Sequence, residues 1–583
     1  MSTINSFVYY LNSMNNANSS SENALAESQI LTEYYDKIRI DRRLGEYIYQ
    51  LLFDDKPSAV ILTGHAGDGK TSVLVQILNQ LGYFDVKKPL KEREYVNDRL
   101  FYVKDMSELS SEVQGIVLEE FLLAPSKNFS SILISNTGPL INTFKRILKD
   151  NNKDEEEIDN FEMKILDLLD KSDDDFGSID IKGEDCKFRI INMAQIENTY
   201  FVKEIIEKIL NEELWEKCQE CNVKEYCPIY FNYKTMDKNR DRIISFIERL
   251  YLWFFENQSR LTIRQMLSHI SFSITGNLNC NEVHSKFENS REGIFDYAFS
   301  NLFFGYKGYK FIKNSNNIKA IRELRKLNLD EIALVEDYNL FVKEEFDIFD
   351  NETQDLLETT LKNNIEALSI ENEGSVKLRR SFRRFYILLS NLEEEFEFLI
   401  SQVFSDTFNM YFDLKKKKSL NYNIKAKLKD IIFEALYKIY LGIHPIDSDK
   451  LYLTLKKNYD DTQNVQLILG ELSKTDIDIL QKQIPDMITE SGKSYETFIK
   501  FGSNVPLYKL DLQTLDYFNK IREGAIFTSL NPSFTFGLMK LKTNLIRHYR
   551  YNSDEEIKLL VIRKNKIDKI ILAVEENTLH ANI

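Results

Sequence analysis

The sequence predicts an α/β core, a parallel sheet covered by helices, followed by a helical lid, a mainly helical region and a C-terminal mixed α+β domain. Three observations predict it. An apolar run, Ala59 to Leu62, passes through Gly64-His65-Ala66-Gly67-Asp68-Gly69-Lys70-Thr71 into apolar residues of helical spacing at Val73, Leu74, Ile77 and Leu78, which reads as strand, glycine loop and helix. Apolar runs and helix-period stretches then alternate as far as Asn192, as they do where parallel strands are joined by helices. From Arg240 the period stays helical until His444-Pro445, after which short alternating runs take over.

Composition bounds this reading. At 583 residues the chain should hold about three to five domains of roughly 100–200 residues each. A hydrophobic share of 43% with only 9 prolines indicates a folded, helix-rich protein. The 76 Lys and Arg are outnumbered by 91 Asp and Glu, and a formal charge of −15 excludes a chain that coats nucleic acid by bulk electrostatics; any DNA contact must be a local patch. No apolar run reaches the ~18 residues of a membrane span, and the N-terminus lacks the basic start and apolar core of a signal peptide, so a cytoplasmic protein is expected. Five cysteines, three of them bunched, suit a reducing compartment and a metal site better than a disulfide framework. The expected segments are an N-terminal helical segment (1–56), the α/β core (57–205), a cysteine-rich metal-binding insertion (206–236), a helical lid (237–315), a helical domain (316–445) and a strand-containing C-terminal domain (446–583).

Residues 1–21, a short apolar-periodic piece (Phe7, Tyr10, Leu11) and a Ser/Asn tract, read as a loosely attached segment, and helical spacing follows from Ile30 to Leu52. The octapeptide itself has the form of a phosphate-binding P-loop. Its glycines let backbone N–H groups turn inward at phosphate oxygens, and the new helix adds the positive end of its dipole. Lys70 would reach the β- and γ-phosphates and Thr71 would offer its hydroxyl to Mg2+, so Gly64, His65, Ala66, Gly67, Asp68, Gly69, Lys70, Thr71 and Ser72 form the expected ATP-binding set. Phosphate chemistry gives His65 and Asp68 no role.

After a charged loop, Lys87 to Asp98, the run Leu100 to Val103 ends near Asp105, the expected Mg2+ ligand, and Glu108, a candidate base for the attacking water. The usual adjacent Asp-Glu pair is missing, and an ordinary core strand ending in a solvated acid competes with this reading. Ile132 to Ser135 leads to Asn136, a sensor candidate between that strand and the γ-phosphate, or else a turn-forming Asn. Residues 149–185 read as a solvated acidic insertion around one amphipathic helix, and Phe188 to Asn192 as the fourth strand. Cys218, Cys221 and Cys227 can bind one ion from a tight turn; Cys280 is the first choice for the fourth ligand, His284 the second and Cys186 the third. Structural zinc is expected, with a 4Fe–4S cluster less favoured and unrelated buried thiols as the alternative. The stretch Arg240 to Thr275 fits the small helical lid that follows the core in AAA+ ATPases, with Arg264, or more weakly Arg260, placed to touch the γ-phosphate, unless it merely decorates a solvated helix face. Two basic clusters stand out: Lys377 to Arg384, with Arg379, Arg380, Arg383 and Arg384, and Lys415 to Lys429. Either grips phosphates or pairs with the abundant local acids. The last runs, Ile557 to Arg563 and Ile567 to Val574, read as a β-hairpin.

In their order along the chain, GHAGDGKT, the Asp105/Glu108 strand, ILISNTGPLINTF, FRIINMAQ, the CxxC…CP group and LTIRQML…ITG resemble the P-loop ATPase component of bacterial phosphorothioation-dependent DNA restriction systems and its defence-associated, AAA+/STAND-like relatives. The resemblance covers roughly residues 25 to 310. It implies an additional-strand P-loop NTPase core and partners among helicase-like or nuclease subunits, with DNA met through the complex, a homo-oligomer as a further option and no membrane. The expected function is a Mg-dependent ATPase that drives assembly or activation of such a defence complex; the alternative is a nucleotide-binding switch with little or no hydrolysis.

Overall fold

The computed structural model describes residues 4–15, 33–53, 56–65, 67–83, 90–170, 176–287, 291–364, 373–390, 396–416, 419–444, 449–455, 463–484, 494–525, 532–551, 556–563, 566–575 and 578–582. Ala66 of the expected ATP-binding set lies outside the described residues, as do Lys417, Lys418 and the hairpin-turn residues Lys564 and Asn565. The chain forms two compact units, Met1–Val403 and, with its parts Phe404–Asp486 and Ser491–Ile583, a second.

The first unit is built on a six-stranded sheet of order β2-β3-β4-β1-β6-β5. Its centre is β1 (Ala59–Thr63), buried at every position, with β4 (Ser130–Ser135) and β6 (Glu184–Asn192) parallel on its two sides in the registers Val60↔Ile132 and Ile61↔Ile190. Beyond β4 lies β3 (Leu100–Val103), also parallel. Alternate residues of β1 serve opposite faces. Ala59 and Ile61 face helices α4 (Ser111–Leu123), α5 (Thr137–Asp150) and α6 (Glu155–Asp170) through Phe121, Phe144 and Ile165; Val60 and Leu62 face α2 (Arg43–Phe53) and α3 (Lys70–Gln80) through Ile48, Leu74 and Ile77. Both faces being covered, the central strands read as continuous apolar runs.

The sheet is mixed rather than wholly parallel, because two antiparallel strands flank it. Strand β2 (Arg93–Val96) lies inside the stretch expected to be a charged loop, and pairs Tyr95 with Phe101. As an edge strand it buries only Val96, so its polar composition hides it. Strand β5 (Gly177–Ile181) lies inside the expected solvated insertion, alternating buried Ile179 and Ile181 with exposed Ser178 and Asp180. It turns into β6 through Lys182 and Gly183, whose φ values of 56° and 86° are those of a two-residue hairpin. In the same insertion α6 sends Ile158, Ile165 and Leu169 into the core while its first-turn glutamates stay outside.

The N-terminal segment is not loosely attached. Helix α1 (Ser6–Asn15) buries Phe7, Val8 and Leu11, sets Phe7 edge-on to Trp215 at 5.6 Å, and donates from Asn12 Nδ2 to Leu278 O at 2.8 Å. These partners lie more than two hundred residues away in sequence, beyond what local periodicity reports. The rest of the unit is helical, with Arg240–Glu256, Ile263–Thr275, Lys319–Leu327, Asn351–Asn363 and Glu373–Leu389 as its longer helices, and Phe295, Phe299, Phe303 and Phe304 buried among them as core. On Glu373–Leu389 three of the four arginines are paired with acids. Arg384, 1% exposed, bonds Asp330 at 2.8 Å; Arg383 grips Asp337 with two nitrogens at 3.0 and 2.6 Å; Arg380 meets Glu331 at 2.9 Å. Pairing with local acids accounts for these three, while Arg379 lies over the Phe341 ring at 5.8 Å.

The second unit carries the helices Asp406–Lys416, Tyr422–Leu441, Leu512–Arg522 and Pro532–Tyr549, a five-stranded sheet and a three-stranded sheet. The expected C-terminal hairpin is present: Glu556–Arg563 pairs antiparallel with Lys566–Glu575, which pairs in turn with Thr578–Asn582.

Candidate functional site

The glycine loop leaves the buried end of β1 and enters α3 with Gly69 as the residue before the helix, at φ 85°. Gly67, at φ 86°, is equally committed, since a Cβ there would stand 3.0 Å from Thr262 Oγ1. Lys70 folds back over the loop: its Nζ donates to Gly64 O at 3.0 Å, His65 O at 2.9 Å and Asn136 Oδ1 at 3.2 Å. Burial pushes its pKa below the usual lysine value, and the charges of Asp68 and Asp105 oppose that shift. Thr71 is half-buried, whereas His65 and Ser72 are exposed. The Ser72 hydroxyl shares a hydrogen bond with Tyr35 beside a cleft of about 340 Å³ that Arg39, Asp41 and Gln76 also line.

Three sequence-distant residues meet this loop. Asp105 follows β3 and caps the turn Met106–Glu108, its Oδ1 accepting from Ser107 N at 2.9 Å. Ser107 Oγ in turn accepts from Asn136 N at 2.7 Å, which ties the ends of β3 and β4 together. Asn136 precedes the first residue of α5, where an Asn side chain ordinarily bonds the helix's free N–H groups. Here it makes no such bond, and its oxygen is turned to Lys70 instead. Arg264, the second residue of Ile263–Thr275, comes within 3.5 Å (Cβ to Cβ position) of Gly67. Glu108 is exposed at the far end of its turn.

Sequence reasoning missed the partner of Asp68. This fully buried carboxylate accepts from His65 N at 2.8 Å and pairs with Arg260 Nη1 at 2.6 Å. The signal was available in principle, because an acid flanked by the glycines of a tight loop, once buried, requires a cation. Arg42 was also missed: it is buried, donates to Asn198 Oδ1 at 2.5 Å and stands 4.0 Å from the Cβ position of Gly69.

The cysteine group gathers three segments. Asn5 donates from Nδ2 to Cys218 Sγ at 3.3 Å and accepts from Cys280 Sγ at 3.9 Å; Cys221 Sγ stands 3.6 Å from His284 Nε2; Cys227 Sγ accepts from Tyr230 N at 3.4 Å. Burial, reinforced by neighbouring thiols, pushes Cys218 up to about 11 and Cys227 up to about 12. Cys186 is elsewhere, on β6 opposite Ile179. All five cysteines are free, and among the described residues no three or more His, Cys, Asp or Glu are grouped as a metal ion requires. The Cys221–His284 separation is nevertheless that of two ligands on one tetrahedral zinc, about 3.6 Å from bonds of ~2.3 and ~2.05 Å.

A larger cavity, about 590 Å³, lies away from the glycine loop, between Tyr230, Phe295 and Tyr309 and the helix Asn351–Asn363. The Lys234–Glu352 and Arg291–Asp355 pairs stand at its wall, where Lys224 Nζ donates to Gln219 O at 3.0 Å. Among the described residues no helix is long and apolar enough to cross a membrane. Comparison with protein-family models, with curated proteins and with solved structures finds no match for the chain.

Proposed function

We propose that the first unit is a P-loop ATPase core of the additional-strand, AAA+-like kind that binds MgATP at Gly64 to Ser72 and hydrolyses it. The observation that carries this reading is Asn136: an Asn in a helix-capping position gives up the cap and bonds the buried Lys70. The strand order supports it as well, because β4 stands between β1 and β3 and brings Asn136 between the loop and Asp105. Lys70 would hold the β- and γ-phosphates; Thr71 and Asp105 would hold Mg2+, whose chemistry is to neutralise phosphate charge. Water oriented by Asn136 or Glu108 attacks the γ-phosphorus, its bond to the bridging oxygen breaks, and ADP leaves with that electron pair. Arg264, whose Cβ lies beside Gly67, would sense the γ-phosphate. The exposure of Glu108 favours a second reading, a nucleotide-binding switch with slow or no hydrolysis.

The resemblance to restriction-system ATPases supplies the biological role: turnover gates assembly or activation of a multi-subunit anti-phage complex, with DNA reached through partner subunits. Zinc held by Cys218, Cys221 and Cys227 with Cys280 or His284 would staple α1's leading residue Asn5, the cysteine segment and the helix Cys280–Phe287 together, a structural role. Multiple-turnover phosphate release, with and without DNA, separates ATPase from switch. Turnover that persists unchanged in Lys70→Ala would remove the site assignment.

A further inference from the structure

We propose that Arg260 is a positioning residue for the glycine loop, acting through Asp68, so that the loop's shape depends on the connector between the helices Arg240–Glu256 and Ile263–Thr275 that carries Arg260. Its consequence for nucleotide binding rests on the ATPase reading; the tether itself rests on geometry alone. Asp68 spends one carboxylate oxygen on His65 N, inside the loop, and the other on Arg260 Nη1. The remaining donors of Arg260 go to two carbonyls of the turn after β6, Nε to Ile196 O at 2.7 Å and Nη2 to Met193 O at 2.7 Å. Its own carbonyl accepts from Lys319 Nζ at 2.7 Å. The guanidinium, its side chain 10% exposed, therefore joins the loop to the exit of the central sheet, and the backbone of the same residue meets the helix Lys319–Leu327.

Two effects follow from its removal. The loop loses its only described hydrogen-bonded tether outside itself through Asp68, and a buried carboxylate beside the loop loses its contacting cation, so that less of its charge is offset when phosphate binds. A pair that merely holds the fold would behave otherwise: replacing both charges by neutral groups should then restore everything, as it often does for buried pairs.

The experiment uses the full chain as wild type, Arg260→Met, Asp68→Asn and the double variant Asp68→Asn/Arg260→Met. Three quantities are read: affinity for a fluorescent ATP analogue with Mg2+, hydrogen exchange of the His65 to Gly69 amides without nucleotide, and melting temperature. The double variant is expected to melt near the wild-type temperature, yet to bind the analogue at least about tenfold more weakly and to exchange its loop amides at least about tenfold faster, the size of a lost charged hydrogen bond. A double variant that recovers affinity and loop protection along with its melting temperature overturns the proposal, and so does an Arg260→Met protein indistinguishable from wild type. Should Arg260→Met fail to fold, the double variant decides. Should the wild type not bind the analogue at all, the ATPase reading fails, and loop exchange in the double variant still decides whether Arg260 positions the loop.

Discussion

Replacing Asn136 by Ala separates a catalytic side chain from a helix cap. As a cap, Asn136 would contribute about 1 kcal/mol to stability, and its loss would lower the melting temperature of a unit this large by only about 1 °C, without a specific effect on turnover. The structure assigns the side chain differently: it makes no bond to the N–H groups of α5 and accepts from Lys70 Nζ at 3.2 Å. A hydrogen bond to a charged group is worth about 1.5–3 kcal/mol, which converts to a loss of roughly tenfold to a hundredfold. Asn136→Ala should therefore melt within about 2 °C of wild type while its rate of phosphate release falls by that factor. A phosphate-release assay run beside differential scanning fluorimetry reads both. Turnover equal to wild type in the folded variant would refute the reasoning and return Asn136 to the role of a turn residue.

Other consequences are as direct. His269 is fully buried, and because a carbonyl can only accept, its Nε2 carries the proton donated to Phe303 O at 2.8 Å, leaving Nδ1 to accept from Tyr251 OH. Burial lowers its pKa to about 4, so between that value and about 6.5 the unfolded state binds the extra proton: stability is level above pH 7 and falls by up to about 3 kcal/mol on acidification through this window. An imidazole signal titrating near 6.5 by NMR would contradict it. Arg384→Met strands the buried Asp330 carboxylate and should cost about 3–5 kcal/mol, against less than about 1 for Arg380→Ala at its half-exposed pair with Glu331, as measured by denaturant unfolding; equal costs would contradict the assignment of Arg384 to the core. Elemental analysis of protein purified without chelator should give about one zinc per chain, and less than about half rules against the thiol site.

What was legible in the sequence is what short range determines. The β1–loop–α3 unit is one continuous stretch, and Asp105 and Asn136 were found because each ends an apolar run whose burial on both faces makes it conspicuous. Edge strands were not legible: β2 and β5 bury one side at most, and their charged residues belong to solvent. Helix α1 read as loosely attached because its partners, Trp215 and Leu278, lie more than two hundred positions further along the chain. The Asp68–Arg260 pair spans 192 positions and was visible only as a question, namely why a loop expected to bind phosphate should contain an acid. Cys280 and His284 were reachable by counting ligands, since three thiols do not close a tetrahedral site. The arginines of Glu373–Leu389 suggested a phosphate grip only until their acidic partners, some fifty positions upstream, were seen beside them.

The central claim is that Lys70 serves a nucleotide's phosphates. Steady-state phosphate release from ATP with Mg2+, by the full chain and by Lys70→Ala at matched folded concentration, tests it most directly. The account predicts multiple turnovers for the wild type and none above background for the variant. Equal release by both proteins would contradict it.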